Sequence, residues 1–67
     1  RLKKNINKIG ESPSGLNIYS FKYKDSKYGE GLFQGVMSDE VPQEVVGTRD
    51  GYDTVDYSKL DVEFKQI

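Results

Sequence analysis

Residues 16–24 read LNIYSFKYK, and their alternation decides the fold. Asn17, Tyr19, Phe21 and Tyr23 fall on one face, and Leu16, Ile18, Ser20, Lys22 and Lys24 on the other, which is the period of a strand. Upstream lies ESPSG (11–15), a turn in which proline sets φ and glycine is free to reverse it. Downstream, DSKYGEG (25–31) is a loop, and LFQGVMS (32–38) reads as a second strand hairpinned to the first. Gly35 inside it marks a bulge or a close backbone approach. In DEVPQEVV (39–46), Pro42 limits the segment to a turn or one helical turn. TRDG (48–51) is a hairpin turn, so YDTVDY (52–57) is a third strand with Val45 and Val46 as its partner.

The two ends are less decided. Leu2, Ile6 and Ile9 recur at i, i+4 and i+7, which predicts one or two helical turns over residues 2–9. In the tail, SKLDVEFKQI (58–67), Leu60, Phe64 and Ile67 fit a helix face, while Leu60, Val62 and Phe64 fit a strand. Alanine is absent and there are seven glycines, which argues against long helices. The expected class is α+β: a small antiparallel sheet of hairpins with short helical segments, in one domain spanning residues 1–67.

A chain of 67 residues with 34% hydrophobic content hides little surface on folding. Small domains of this kind lean on a disulfide, a metal or a partner chain. The sequence has no cysteine and no histidine, which removes disulfides and a structural zinc site. Self-association is the remaining supplement. No apolar run approaches the ~18 residues of a membrane span, and no stretch has the pattern of a secretory signal. Charge is unevenly placed. Residues 1–27 carry seven Lys/Arg against Glu11 and Asp25, a balance of +5; residues 28–67 carry Arg49, Lys59 and Lys65 against nine acids, a balance of -6. Such halves attract, within one chain or between copies.

Three arrangements bear on chemistry. Asp50, Asp53 and Asp56 lack the alternate oxygens, central glycine and distal glutamate of a calcium loop, so no metal and no cofactor is expected. Lys22, Lys24 and Lys27 interleave with Tyr19, Phe21, Tyr23 and Tyr28, as in single-strand nucleic-acid binders. The alternation, however, puts the strand lysines opposite the aromatics, as on an ordinary half-buried strand. A Ser–His–Asp triad is impossible without histidine, but a Ser–Lys pair is not. A lysine becomes a base when burial or neighbouring cations lower its pKa, and Lys3 lies between Arg1 and Lys4.

Three stretches in order, RLKKNI (1–6), GVMSDEV (35–41) and DGYDTVDYSKL (50–60), resemble the intramolecular chaperone auto-processing domain of endosialidase-like phage tailspike and tail fibre proteins, which is of the auto-cleaving serine peptidase type. The resemblance implies a C-terminal domain that forms an intertwined homotrimer, templates the folding of the upstream fibre or spike domain of the same chain, and then cuts itself off before a serine. Lys3 matches the lysine that assists the cut, and Arg1 the arginine beside it. The serine would be the third residue before Arg1, so residues 1–67 alone lack the nucleophile. The expected partners are the chain's own copies and its upstream domain, with no nucleic acid and no membrane; the expected location is the virion tail, or the host cytoplasm during assembly. The sequence departs from the family's pattern at Ser38 and Asp39, in a shorter segment after Val41, and in having no long helix after VDYSKL. A non-cleaving trimerisation domain of a virion protein, and a nucleic-acid-binding module, are the alternatives.

Overall fold

A computed structural model of the protein describes residues 2–67. It is a small, mostly-β domain of antiparallel hairpins joined by short 3-10 turns, with no α-helix among the described residues. The strands are β1 (Lys3–Glu11), β2 (Asn17–Tyr23), β3 (Phe33–Gly35), β4 (Val46–Arg49), β5 (Tyr52–Val55) and β6 (Lys65–Gln66). One sheet runs in the order β1-β2-β3-β6; β4 and β5 form a separate hairpin. The α part of the α+β expectation is therefore corrected: the helical pieces are the three-residue 3-10 turns Ser26–Tyr28, Ser38–Glu40, Gln43–Val45 and Tyr57–Lys59. Among the described residues no helix is long and apolar enough to cross a membrane.

The strand expected at 16–24 forms as β2, and it pairs with β3 through Tyr19–Gly35, Ser20–Gln34 and Phe21–Phe33. The TRDG turn closes β4 on β5, with Val46 opposite Val55, and places Asp50 (φ 52°) and Gly51 (φ 80°) in the left-handed region. That is the backbone of a two-residue hairpin turn whose twist matches its strands. The Pro42 segment turns as expected: proline opens the 3-10 turn Gln43–Val45, and the Val45 amide donates to the Pro42 carbonyl at 3.1 Å. The ambiguous tail does some of each. Tyr57–Lys59 turns once, capped by the Asp56 carboxylate, and Lys65–Gln66 pair with β3.

Where helical turns were expected over residues 2–9, Lys3–Glu11 form a strand, and β1 carries two irregularities. Lys4 faces Lys22 and Asn7 faces Ser20, so one extra residue is accommodated there, with Asn5 at φ 54°. A second extra residue falls between Lys8, opposite Tyr19, and Gly10, opposite Ile18. These are β-bulges, which add a residue to one strand and turn the side chains that follow it. Ile9, at the second bulge, is 51% exposed.

The buried core is small. Val36, Val41, Val45 and Val62 form one cluster, onto which Leu16, Ile18, Val46, Val55, Tyr57 and Leu60 pack. Phe21 is fully enclosed among rings: Tyr23 edge-on at 5.5 Å, Phe33 at 6.4 Å and Phe64 at 6.3 Å. Fully burying side chains of this kind contributes about 1.5–3 kcal/mol each, so few residues carry most of the stability. Polar ties do the rest of the fastening. Asp61 accepts from the Ser14 amide at 2.7 Å and the Ser14 hydroxyl at 2.9 Å, which joins the first turn to the tail. The Gln34 side chain donates to the Glu63 carbonyl at 2.9 Å, and the Gln66 side chain to the Glu30 carbonyl at 2.7 Å.

Candidate functional site

Lys3 begins β1 and sits opposite Tyr23, so it shares a sheet face with the Tyr19, Phe21 and Tyr23 side chains. Its ammonium nitrogen lies 4.5 Å from the centroid of the Phe21 ring. The side chain is half-buried, and burial lowers the amine's pKa below the ordinary lysine value. Among the described residues the ion pairs are Lys8–Glu11 at 3.1 Å and Lys27–Asp25 at 3.8 Å, so no described carboxylate within 4.0 Å offsets that burial at Lys3. Two physical effects compete here. The dry apolar side of the amine favours the neutral form, whereas the negative face of the Phe21 ring favours the cation.

An open groove of about 600 Å³ runs beside this lysine. β1 lines it with Leu2, Lys3 and Ile6, and β2 with Tyr19; Met37 to Glu40 form a second wall, and the tip of the β4–β5 hairpin adds Gly51, Tyr52 and Asp53. All three stretches that carry the sequence resemblance thus meet in one groove. Its polar rim is held by hydrogen bonds. The Tyr19 hydroxyl donates to Glu40 at 2.8 Å, and Ser38 to Asp53 at 2.9 Å. The Glu40 bond, more than burial, pushes the Tyr19 hydroxyl pKa up.

Lys3 is the one expected site residue that the structure places; Arg1 lies outside the described residues. The groove also gathers Tyr19, Ser38, Glu40 and Asp53, which the sequence reading did not put together. Ser38 stood out there only as a departure from the family's pattern, and Asp53 only as a failed calcium ligand. No signal short of the hairpin's position would have brought them to Lys3.

The aspartates of the RDGYDTVD stretch do separate work. Asp50 occupies the turn, Asp53 accepts from Ser38, and Asp56 caps Tyr57–Lys59 through the Ser58 amide and hydroxyl, which hold its carboxyl below the usual range. Among the described residues no cluster of acids could hold a metal ion. The aromatics of β2 are likewise engaged: Phe21 is 0% exposed and offers no face to a base, and Tyr19 is tied to Glu40.

Tyr57 is half-buried and structural. Its hydroxyl accepts the Val36 amide at 3.0 Å, directly beside Gly35. Burial raises its pKa, and the Val36 bond partly offsets the rise.

Fold and groove together define a small antiparallel β-domain with one desolvated lysine beside an acid-rimmed cleft. No family model, curated protein or solved structure matches the chain.

Proposed function

We propose that this domain is a C-terminal intramolecular chaperone of a phage tail fibre or spike, an intertwined homotrimer that templates the upstream domain of its own chain and is then released by Ser–Lys self-cleavage. The observation that carries the reading is the placement of Lys3: a half-buried amine without a described carboxylate partner, in the groove where the three resembling stretches meet. A serine hydroxyl needs a base to accept its proton, and in a domain without histidine a half-buried lysine is suited to that task. Trimerisation is supported by the small core and by apolar side chains left at the surface, among them Phe64 (39% exposed), Leu32 (40%) and Ile67 (52%). A template that binds three chains early replaces a termolecular search by an intramolecular one, and long-range β-structure is slow to fold without such help.

The test restores the natural sequence upstream of Arg1 and follows self-cleavage by mass. The expected result is a cut before a serine three residues upstream of Arg1, blocked by Lys3→Arg with the oligomer intact. Cleavage at the normal rate in Lys3→Arg overturns the assignment. One observation favours a second reading, that of a non-cleaving trimerisation domain: an ammonium 4.5 Å over Phe21 is also a sound structural anchor. In that case the restored protein stays uncut and Lys3→Arg retains its stability.

A further inference from the structure

We propose that Lys3 is a nucleophilic amine site which takes up small, neutral, apolar carbonyl compounds through the groove and holds them as an imine. This deepens the preceding reading, with which it shares the half-buried Lys3 amine, but it needs no upstream serine.

The other lysines are poorer candidates on geometry alone. Lys4, Lys8, Lys22, Lys24, Lys27, Lys59 and Lys65 are all exposed, and Lys8 and Lys27 are also paired with acids. Lys3 is the half-buried lysine, with one flank against a ring that water does not reach and the other bordering the groove. The desolvation that lowers its basicity leaves more of the amine with a free electron pair.

The groove sets the ligand class. Leu2, Ile6 and Met37 give it an apolar part to its lining, which Lys3 shares. Asp39, Glu40 and Asp53 stand around it and repel anions, so oxo acids and phosphorylated aldehydes are disfavoured and uncharged carbonyl compounds admitted. The step balances without an oxidant or reductant. The nitrogen pair attacks the carbonyl carbon, the carbon–oxygen π pair moves to oxygen, and that oxygen takes a proton. The carbinolamine then loses its hydroxyl and the remaining N–H proton as one water, leaving the carbon–nitrogen double bond.

Propanal is the probe, in limiting amount at neutral pH, with cyanoborohydride present to trap the imine as a propyl amine. Peptide mapping of the folded chain reads each lysine and the terminal amine separately. The expected result is several-fold more propyl group on Lys3 than on any other lysine, with the preference lost in denaturant. Glyoxylate, the anionic counterpart, should show no such preference. Lys3→Arg should leave the labelling of the other lysines unchanged. Labelling of Lys3 at or below the level of Lys4, its exposed neighbour, overturns the proposal, as does a preference that survives unfolding. Selective labelling in a protein that never self-cleaves removes the processing reading and leaves this one standing; cleavage without selective labelling removes this one alone.

Discussion

Among the glycines, Gly35 leaves the least room for a side chain, and adding one methyl group there should be costly. A β-carbon on Gly35 would collide with the Tyr57 hydroxyl and come within 3.3 Å of Phe64 and 3.4 Å of Phe21. Phe21 is fully buried and cannot yield. Tyr57 must then move, and its hydroxyl leaves the Val36 amide, which it accepts at 3.0 Å. Val36 is 1% exposed, so water does not readily replace that bond. Leaving a buried amide unpaired costs about 1–3 kcal/mol, and forcing a methyl into a packed site costs about 1–3 kcal/mol more. Gly35→Ala should therefore lower stability by about 2–6 kcal/mol. For a domain of this size each kcal/mol moves the melting temperature by roughly 4–8 °C, so the loss would be plain in thermal or urea unfolding followed by circular dichroism. The double variant with Tyr57→Phe makes the test specific. Removing the hydroxyl removes the collision, so the pair should be less destabilised than the sum of the singles by about 1 kcal/mol or more. A Gly35→Ala protein within about 0.5 kcal/mol of the parent, or strictly additive effects, would refute the argument.

Other outcomes follow from features away from the groove's lysine. Gly51→Val should destabilise by roughly 1–2 kcal/mol in urea titrations, purely from a β-branched residue at φ 80°, since nothing lies within 4 Å of the added carbon. Asp61 is held below its ordinary pKa by the Ser12 hydroxyl first and by the Ser14 amide and hydroxyl. A depressed carboxylate stabilises the fold above its unfolded value and loses that contribution as pH falls through the folded one. Unfolding curves measured downward from pH 5 should therefore show an acid limb that Asp61→Asn flattens, and an unchanged limb would show that the tie to Ser14 contributes nothing.

How much of this was legible in the sequence depended on whether side-chain period survived. β2 kept a strict alternation, so its strand and its two faces were readable from LNIYSFKYK. The TRDG turn was readable because Asp50 and Gly51 tolerate the left-handed backbone that the hairpin requires. β1 was misread for a geometric reason. Its two bulges put Lys4, Asn7 and Gly10 opposite Lys22, Ser20 and Ile18, on one face of the sheet. A strand that returns to the same face every third residue imitates a helix, and Leu2, Ile6 and Ile9 carried that false period. β6 is two residues long and too short to show any period. At the site, Lys3 was singled out from its charged neighbours and the resemblance, but its burial depends on the Phe21 ring from another strand. The rim depends on a hairpin whose position no local pattern encodes.

The ties between distant parts of the chain bear on when the domain can fold. Asp61 reaches back 47 positions to Ser14, and Gln66 reaches back 36 to Glu30. The Ile67 amide also donates to the Leu32 carbonyl at 2.9 Å, beside the pairing of Phe33 with Gln66. During synthesis the β1–β2 hairpin can leave the ribosome long before these acceptors and donors exist. The edge of β3 stays open until residues 65–67 emerge, and Phe33 has no Phe64 to stack on at 5.7 Å until then. Loop closure across such spans must be met before the contacts reward it. The sheet is thus completed only when residues 65–67 emerge, and a nascent chain stalled at residue 60 would hold a finished hairpin and an exposed aromatic edge, prone to pair with whatever strand comes near.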